Sequence, residues 1–318
     1  GMYRSDLYGD GRWVKARYQP YNQFYSVAIS PQDATRYSGG AQDNGSLRSW
    51  GDTDFNEYVG GDGEENIINP ADKQNVFACY QYGNCYRSTD GGDRLTYFTP
   101  VSDRRNWFTP IELTPGNPSV MYSGGNKLNR SADGGVTWTA ISPDLTGGPG
   151  PEAYPFGTLT SIAAAADGHT VYAGTDDGRV WVTRDTGATW TLIRDGGVWV
   201  TRVVVSPSDP ARIWVTLSGY RSGVGQPFVL ASGDYGATWT DLSGNLPQAP
   251  VNDVVPGPSG ALYVATDQGV FVSTIPGDWS RVGRGLPMVP VDDLEYDAGT
   301  ARLVAATFGR SLYVTTVG

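Results

Sequence analysis

Four aspartates stand in polar, turn-like settings: Asp43 in AQDNG, Asp62 in GGDGE, Asp176 in TDDG and Asp293 in VDDLEYD. Two carboxyl groups held roughly 5–10 Å apart can hydrolyse a glycosidic bond, one giving a proton while the other attacks or activates water. The pairs Asp43 with Asp62 and Asp176 with Asp293 are the candidates for that chemistry. Side chains suited to a sugar accompany them. Gln42 and Asn44 both donate and accept, Tyr82, Trp107, Trp199 and Tyr220 can stack on C–H faces, and Arg105, Arg202 and Arg221 can bind hydroxyls. The DNG and DDG stretches are also strong hairpin formers, so each of these acids has a structural reading beside the catalytic one.

Other chemistries find less support. His169 is the only histidine and lies in the turn AADGHT, a poor place for a Ser-His-Asp triad or a zinc site. No Cys-x-x-Cys, phosphate-binding loop or dinucleotide glycine motif occurs, so no cofactor or metal is expected. Calcium held by Asp43 or Asp176 lacks a ligand-loop pattern. A formal charge of −10 gives no basic footprint for nucleic acid. No run of 18 apolar residues suggests a membrane helix. The opening GMYRSDLYGDGRW lacks the pattern of a secretory leader, which leaves the compartment open and favours an extracellular or periplasmic setting if a leader was removed. The two cysteines, Cys79 and Cys85, flank YQYGN and either pair across a hairpin or remain buried thiols.

What must position these residues is legible in composition and period. Among 318 residues there are 43 Gly, 21 Pro, 19 Tyr and 10 Trp, the profile of aromatic strands joined by tight turns. RSADGGVTW, VTRDTGATW and ASGDYGATW share Ser/Thr-x-Asp-x-Gly-x-Thr-Trp, with partial copies in RSTDGGDRL and VSTIPGDW. A second repeat, an apolar strand, a Pro/Asp turn and a strand ending in small residues, runs from Phe24–Gly40 to Leu294–Thr307 and counts seven. Division of 318 by seven gives about 45 residues, the length of a four-stranded propeller blade. The sequence therefore predicts an all-β chain: one domain over residues 1–318, a seven-bladed β-propeller of four-stranded antiparallel blades. The stretch Trp13–Pro20 is expected to supply an N-terminal outer strand that closes the ring. The aspartate turns should occupy one rim and the candidate site residues the other. Two long loops, residues 146–157 and Ser218–Phe228, exceed what a hairpin needs and fit a recognition role.

These boxes resemble the Asp-box (bacterial neuraminidase repeat) β-propellers, a superfamily of sialidases, xyloglucanases, sortilin-type receptors and a photosystem II assembly factor. GGAQDNGSLRSW, VGGDG and AATFGRSLYV look most like large bacterial repeat proteins labelled glycosyl hydrolases. The resemblance implies a carbohydrate-active propeller that binds a poly- or oligosaccharide and hydrolyses it through paired carboxylates on the loop face. The alternative it implies is a non-catalytic scaffold whose partner is another protein or domain. No Arg-Ile-Pro motif occurs, which sets the chain apart from sialidases. Xyloglucanases draw one acid from each of two propellers, so a cleft of that kind would need a second half.

Overall fold

The computed structural model describes residues 3–4, 14–15, 21–51, 54–100, 103–150, 154–283 and 285–318. Within them the chain forms a ring of seven antiparallel blades, as the repeat count predicts. Their innermost strands are Ala28–Ser30, Gly63–Ile68, Ile111–Leu113, Leu159–Ala164, Trp199–Ser206, Val251–Pro256 and Val291–Asp297. Later strands of each blade pair outward in chain order; six blades have four strands, and the last, ending at Ser311–Thr316, has three among the described residues. The expected closing strand at residues 13–20 lies outside the described residues except for Val14–Lys15, which pairs with Tyr3–Arg4.

The second strand of each blade lies between neighbouring sheets and is buried on both faces. It therefore reads as a run of small apolar residues without alternation, as in Val171–Thr175 and Leu262–Thr266. Packing between sheets builds the core, for example Tyr172, Val200, Val203 and Val215 between the fourth and fifth blades. First and last blades meet in the same way. Phe24 and Val27 pack on Val304 and Ala306, and the Phe24 N–H donates to the Thr307 carbonyl at 3.1 Å.

The aspartate turns join third to fourth strands, opposite the hairpins between second and third strands. In one of them Asp133 accepts from the Ser131 hydroxyl at 2.7 Å and from the Thr137 N–H and hydroxyl at 2.9 and 2.7 Å. Those bonds hold its carboxyl well below the usual range, the Thr137 hydroxyl first among them. Two tryptophans of the repeat tie each turn to the preceding blade: the Trp190 and Trp239 indoles donate to Ile141 and Ile193 carbonyls at 3.0 and 3.2 Å.

A second device joins the blades at the axis. In the last four blades the innermost strand shifts register near its start, between Leu159 and Ser161, Val200 and Arg202, Val251 and Asp253, and Val291 and Asp293. Each bulge turns one extra residue out of the ladder, namely Thr160, Thr201, Asn252 and Asp292. The first three donate to the next blade, to the carbonyls of Val200, Val251 and Val291 at 2.6, 2.7 and 3.0 Å. In three of these blades the residue after the bulge accepts from the next blade instead, whereas Arg202 donates to Asp253. Ser161 takes the Val203 N–H at 2.9 Å, Asp253 that of Leu294 at 2.9 Å, and Asp293 that of Val27 at 2.8 Å. The last of these bonds spans the join between the seventh and first blades.

Candidate functional site

Three groupings divide the side chains singled out by sequence, and only one gathers several carboxyls on the loop face. It lies at the ring mouth between the last, first and second blades. Gly40 and Gly63 make it possible: a Cβ on Gly40 would sit 1.9 Å from the Glu64 carbonyl oxygen, and one on Gly63 would sit 2.2 Å from that of Gly45. The close approach brings the Gln42–Asn44 turn onto Asp62. Asp43, at φ 59°, donates its N–H to Asp62 Oδ1 at 2.8 Å, and the Gln81 amide donates to Oδ2 at 2.6 Å. Asn44 folds back on the Gln42 carbonyl at 2.8 Å.

Tyr25 stands at the centre of this grouping. Its hydroxyl and the Gln23 amide both donate to Gln42 Oε1, and its ring meets Trp107 edge-on at 5.3 Å and Phe308 at 6.4 Å. Burial pushes the Tyr25 hydroxyl up to about 12, against the Gln23 hydrogen bond and with help from the charges of Asp62, Asp292 and Asp43. Tyr82, also left-handed at φ 62°, is half exposed beside them, and its N–H donates to the Trp107 carbonyl at 2.9 Å. Arg105 is on the connection leading to Trp107, with one guanidinium nitrogen buried and without a hydrogen-bond partner.

Asp292 is the neighbour of Asp293, the residue that the sequence put forward as catalytic. It occupies the bulge position from which Thr160, Thr201 and Asn252 donate, yet an ionised carboxylate has no proton to give. Its Oδ2 is buried without a partner, and burial, reinforced by Asp267, pushes the carboxyl up to about 7. The place in the strand and the desolvation both favour the protonated acid. Glu64, wholly buried next to Asp62, is pushed up to about 9 by burial, with the Thr109 backbone pulling the other way.

The second grouping is the axial channel, where Asp293 and Arg202 reside. Asp293 accepts from Val27 and from the Arg202 guanidinium, which also donates to Asp253 at 2.9 Å. Burial pushes Asp293 up against the pull of Arg202, while Asp253 and Asp293 outweigh burial to hold that guanidinium charged. Glu65, Glu112 and Glu295 line the same cavity of about 520 Å³, which runs to Pro31, Pro70 and Gly299 on the face of the aspartate turns. Among the described residues no group of three or more His, Cys, Asp or Glu is arranged to hold a metal ion.

The third grouping lies on the fourth and fifth blades. Asp176 is fully buried and spends its oxygens on the loop before Leu159, accepting from the N–H groups of Phe156 and Thr158 at 2.6 and 3.0 Å. Tyr154, Phe156 and Trp199 cluster above it, with Arg221 over their rings and Tyr220 exposed alongside. The pair Asp176 with Asp293 is therefore divided between two groupings, Asp176 engaged by the N–H groups of Phe156 and Thr158 and Asp293 by the Val27 N–H and the Arg202 guanidinium. Asp43 with Asp62 stays together. A signal for the difference was present in sequence: L-T-S-I, V-N-D-V and V-D-D-L align with an acceptor, Ser161, Asp253 or Asp293, directly after the bulge, which puts Asp293 in the clasp and Asp292 outside it.

No family model matches the chain. A curated xyloglucanase from a Paenibacillus species is 26% identical over 247 residues, which cover 64% of this chain and 23% of that protein. The GH74 xyloglucanase structure from Xanthomonas campestris superposes with a TM-score of 0.75 at 14% identity, over 95% of this chain and 53% of that one. YCF48 from Cyanidioschyzon merolae superposes with a TM-score of 0.68 at 13% identity, over 93% of this chain and 95% of that one. A structure of YCF48 bound to D1 peptide matches with a TM-score of 0.54. The chain thus spans about a quarter of the curated relative and about half of the xyloglucanase structure. These likenesses establish the propeller fold and relatives that include glycoside hydrolases.

Proposed function

We propose that the ring mouth is a polysaccharide-binding site of an Asp-box propeller, with Trp107, Phe308 and Tyr82 as stacking surfaces and Gln42, Asn44 and Asp62 as hydroxyl partners. The observation that carries this reading is the Gln42–Asn44 turn docked on Asp62 and tied through Gln42 to Tyr25, whose ring meets Trp107 and Phe308. Flat rings beside bidentate acceptors suit a sugar, whose C–H faces and hydroxyls need both at once. Within that site Asp292 is the proton donor, since a carboxyl near 7 stays protonated where an exposed one does not. Asp62, which accepts from two donors, is the second carboxyl of the pair. The curated xyloglucanase relative supports xyloglucan as ligand.

Affinity electrophoresis in xyloglucan tests the proposal. The chain should be retarded, and Trp107→Ala should weaken retention about tenfold, the effect of losing one stacking ring and its burial. Asp292→Asn should keep retention and abolish any release of reducing ends. Free migration of the unsubstituted chain in xyloglucan and in other β-glucans would remove the reading.

A protein-binding role is the second reading. It is favoured by the match to YCF48, which spans nearly the whole of a lone propeller and includes a peptide-bound form.

A further inference from the structure

Three aromatic rings on the fourth and fifth blades form a box away from the ring mouth. Tyr154 and Trp199 lie nearly parallel, 8° apart, with centroids separated by 6.2 Å. Phe156 stands across them, at 81° to Tyr154 and 87° to Trp199. The Arg221 guanidinium sits at the open side, 5.6 Å from the Tyr154 centroid, 5.3 Å from Phe156 and 5.5 Å from Trp199. Other guanidinium groups of the described residues meet one ring or two, as Arg184 does over Tyr235 and Arg48 over Trp50 and Tyr58. Each ring offers its negative face to a cation, so three around one position make a place for positive charge. The charges of Asp176 and Asp177 act on the Tyr154 hydroxyl and reinforce that preference.

The resident cation arrives on a strap with an exposed tip. Arg221 belongs to the strap Ser218–Phe228, whose tip from Tyr220 to Gly223 is exposed. Backbone bonds there close on the strap itself, from Ser222 and Val224 to Gly219 and from Gly223 to Tyr220. The tip meets the body with the Arg221 guanidinium on the rings. Tyr220, next to Arg221, is 80% exposed and packs on nothing large.

We propose that the box is a binding site for an arginine or lysine side chain of a partner polypeptide, which takes the place of Arg221 when the strap swings aside. The resident guanidinium shows which group fits, and it is delivered by a chain segment, so another segment can present the same group along the vacated path. A net charge of −10 draws a basic partner toward the surface. The inference stands apart from the glycan reading, because neither Arg221 nor the box takes part in the ring mouth.

Calorimetry on the whole chain carrying Arg221→Ala tests it. The probes are acetyl-Gly-Arg-Gly-amide and its Gly-Gly-Gly counterpart. The variant should bind the arginine peptide saturably and about tenfold more tightly than the unsubstituted chain, because the internal competitor is gone. The glycine peptide should not bind. Adding Trp199→Leu or, as an independent check on folding, Phe156→Leu should remove the signal while the circular dichroism spectrum is kept. Absence of saturable binding by Arg221→Ala, equal binding of both peptides, or binding that survives both ring substitutions would overturn the proposal and leave Arg221 as a pin for its own strap.

Discussion

Arg202 reaches from the fifth blade to Asp253 on the sixth and Asp293 on the seventh, so one side chain ties three inner strands together. Removing it leaves two nearly buried carboxylates facing each other, which is costlier than the pair itself is worth because neither charge keeps its partner. Arg202→Met should therefore lower the unfolding free energy by about 3 kcal/mol near neutral pH, read by urea denaturation. The penalty should shrink in acid, where Asp293, pushed up by burial, takes a proton. A loss under about 1 kcal/mol at neutral pH would mean that the guanidinium is dispensable to the three inner strands. The same positions show where sequence reasoning reached its limit. Arg202 and Asp293 are recognisable as paired-charge residues, but assigning them to substrate requires knowing which way a bulged strand turns them. One residue of register separates Asp293, clasped to Val27, from Asp292, left without a donor.

The hairpin of Val76–Tyr80 and Asn84–Ser88 carries the site through its tip. Cys79 and Cys85 are disulfide-bonded across it, and the tip supplies Gln81 to Asp62 and Tyr82 to Trp107. The spacing of the cysteines allowed either a bond or two thiols, and the ladder decides it by placing them directly opposite each other. Closing so short a loop restricts the unfolded chain modestly, so Cys79→Ala with Cys85→Ala should cost about 2 kcal/mol. Xyloglucan retention should weaken as well, since the tip that holds Asp62 is no longer pinned. Unchanged retention in the double variant, with a lowered melting temperature, would separate the staple from the site. Strands and aspartate turns of this kind were legible because each depends on local chemistry: the Ser131–Asp133–Thr137 bonds close within one hairpin. The ring mouth was only partly legible, because Tyr25, Asp62 and Asp292 are brought together by closure between distant blades.

Across the whole molecule, the ring places Glu65, Glu112 and Glu295 around a single channel. Arg202 is already committed to two aspartates, which leaves these three with little to offset their loss of water. Burial pushes Glu112 and Glu295 up to about 8, and Glu65 up to about 7, from an ordinary 4.5. The folded state then holds more protons than the unfolded chain between those values, and stability falls as pH rises through the interval. These carboxyls cost nothing below about pH 4.5, where both states are protonated, and their full cost appears once pH passes about 8. The aspartate turns act in the opposite sense only in stronger acid, since Asp133, Asp185 and Asp234 are held below the usual range. The melting temperature should therefore be higher at about pH 5 than at about pH 8.5, by a few degrees for a chain of this size. Glu112→Gln supplies the same shape without the charge, so it should flatten that slope and raise the alkaline melting temperature while leaving the acidic one in place. A melting temperature that is level or rising over this range, or a slope untouched by Glu112→Gln, would show that water in the channel solvates the three glutamates as well as bulk solvent does.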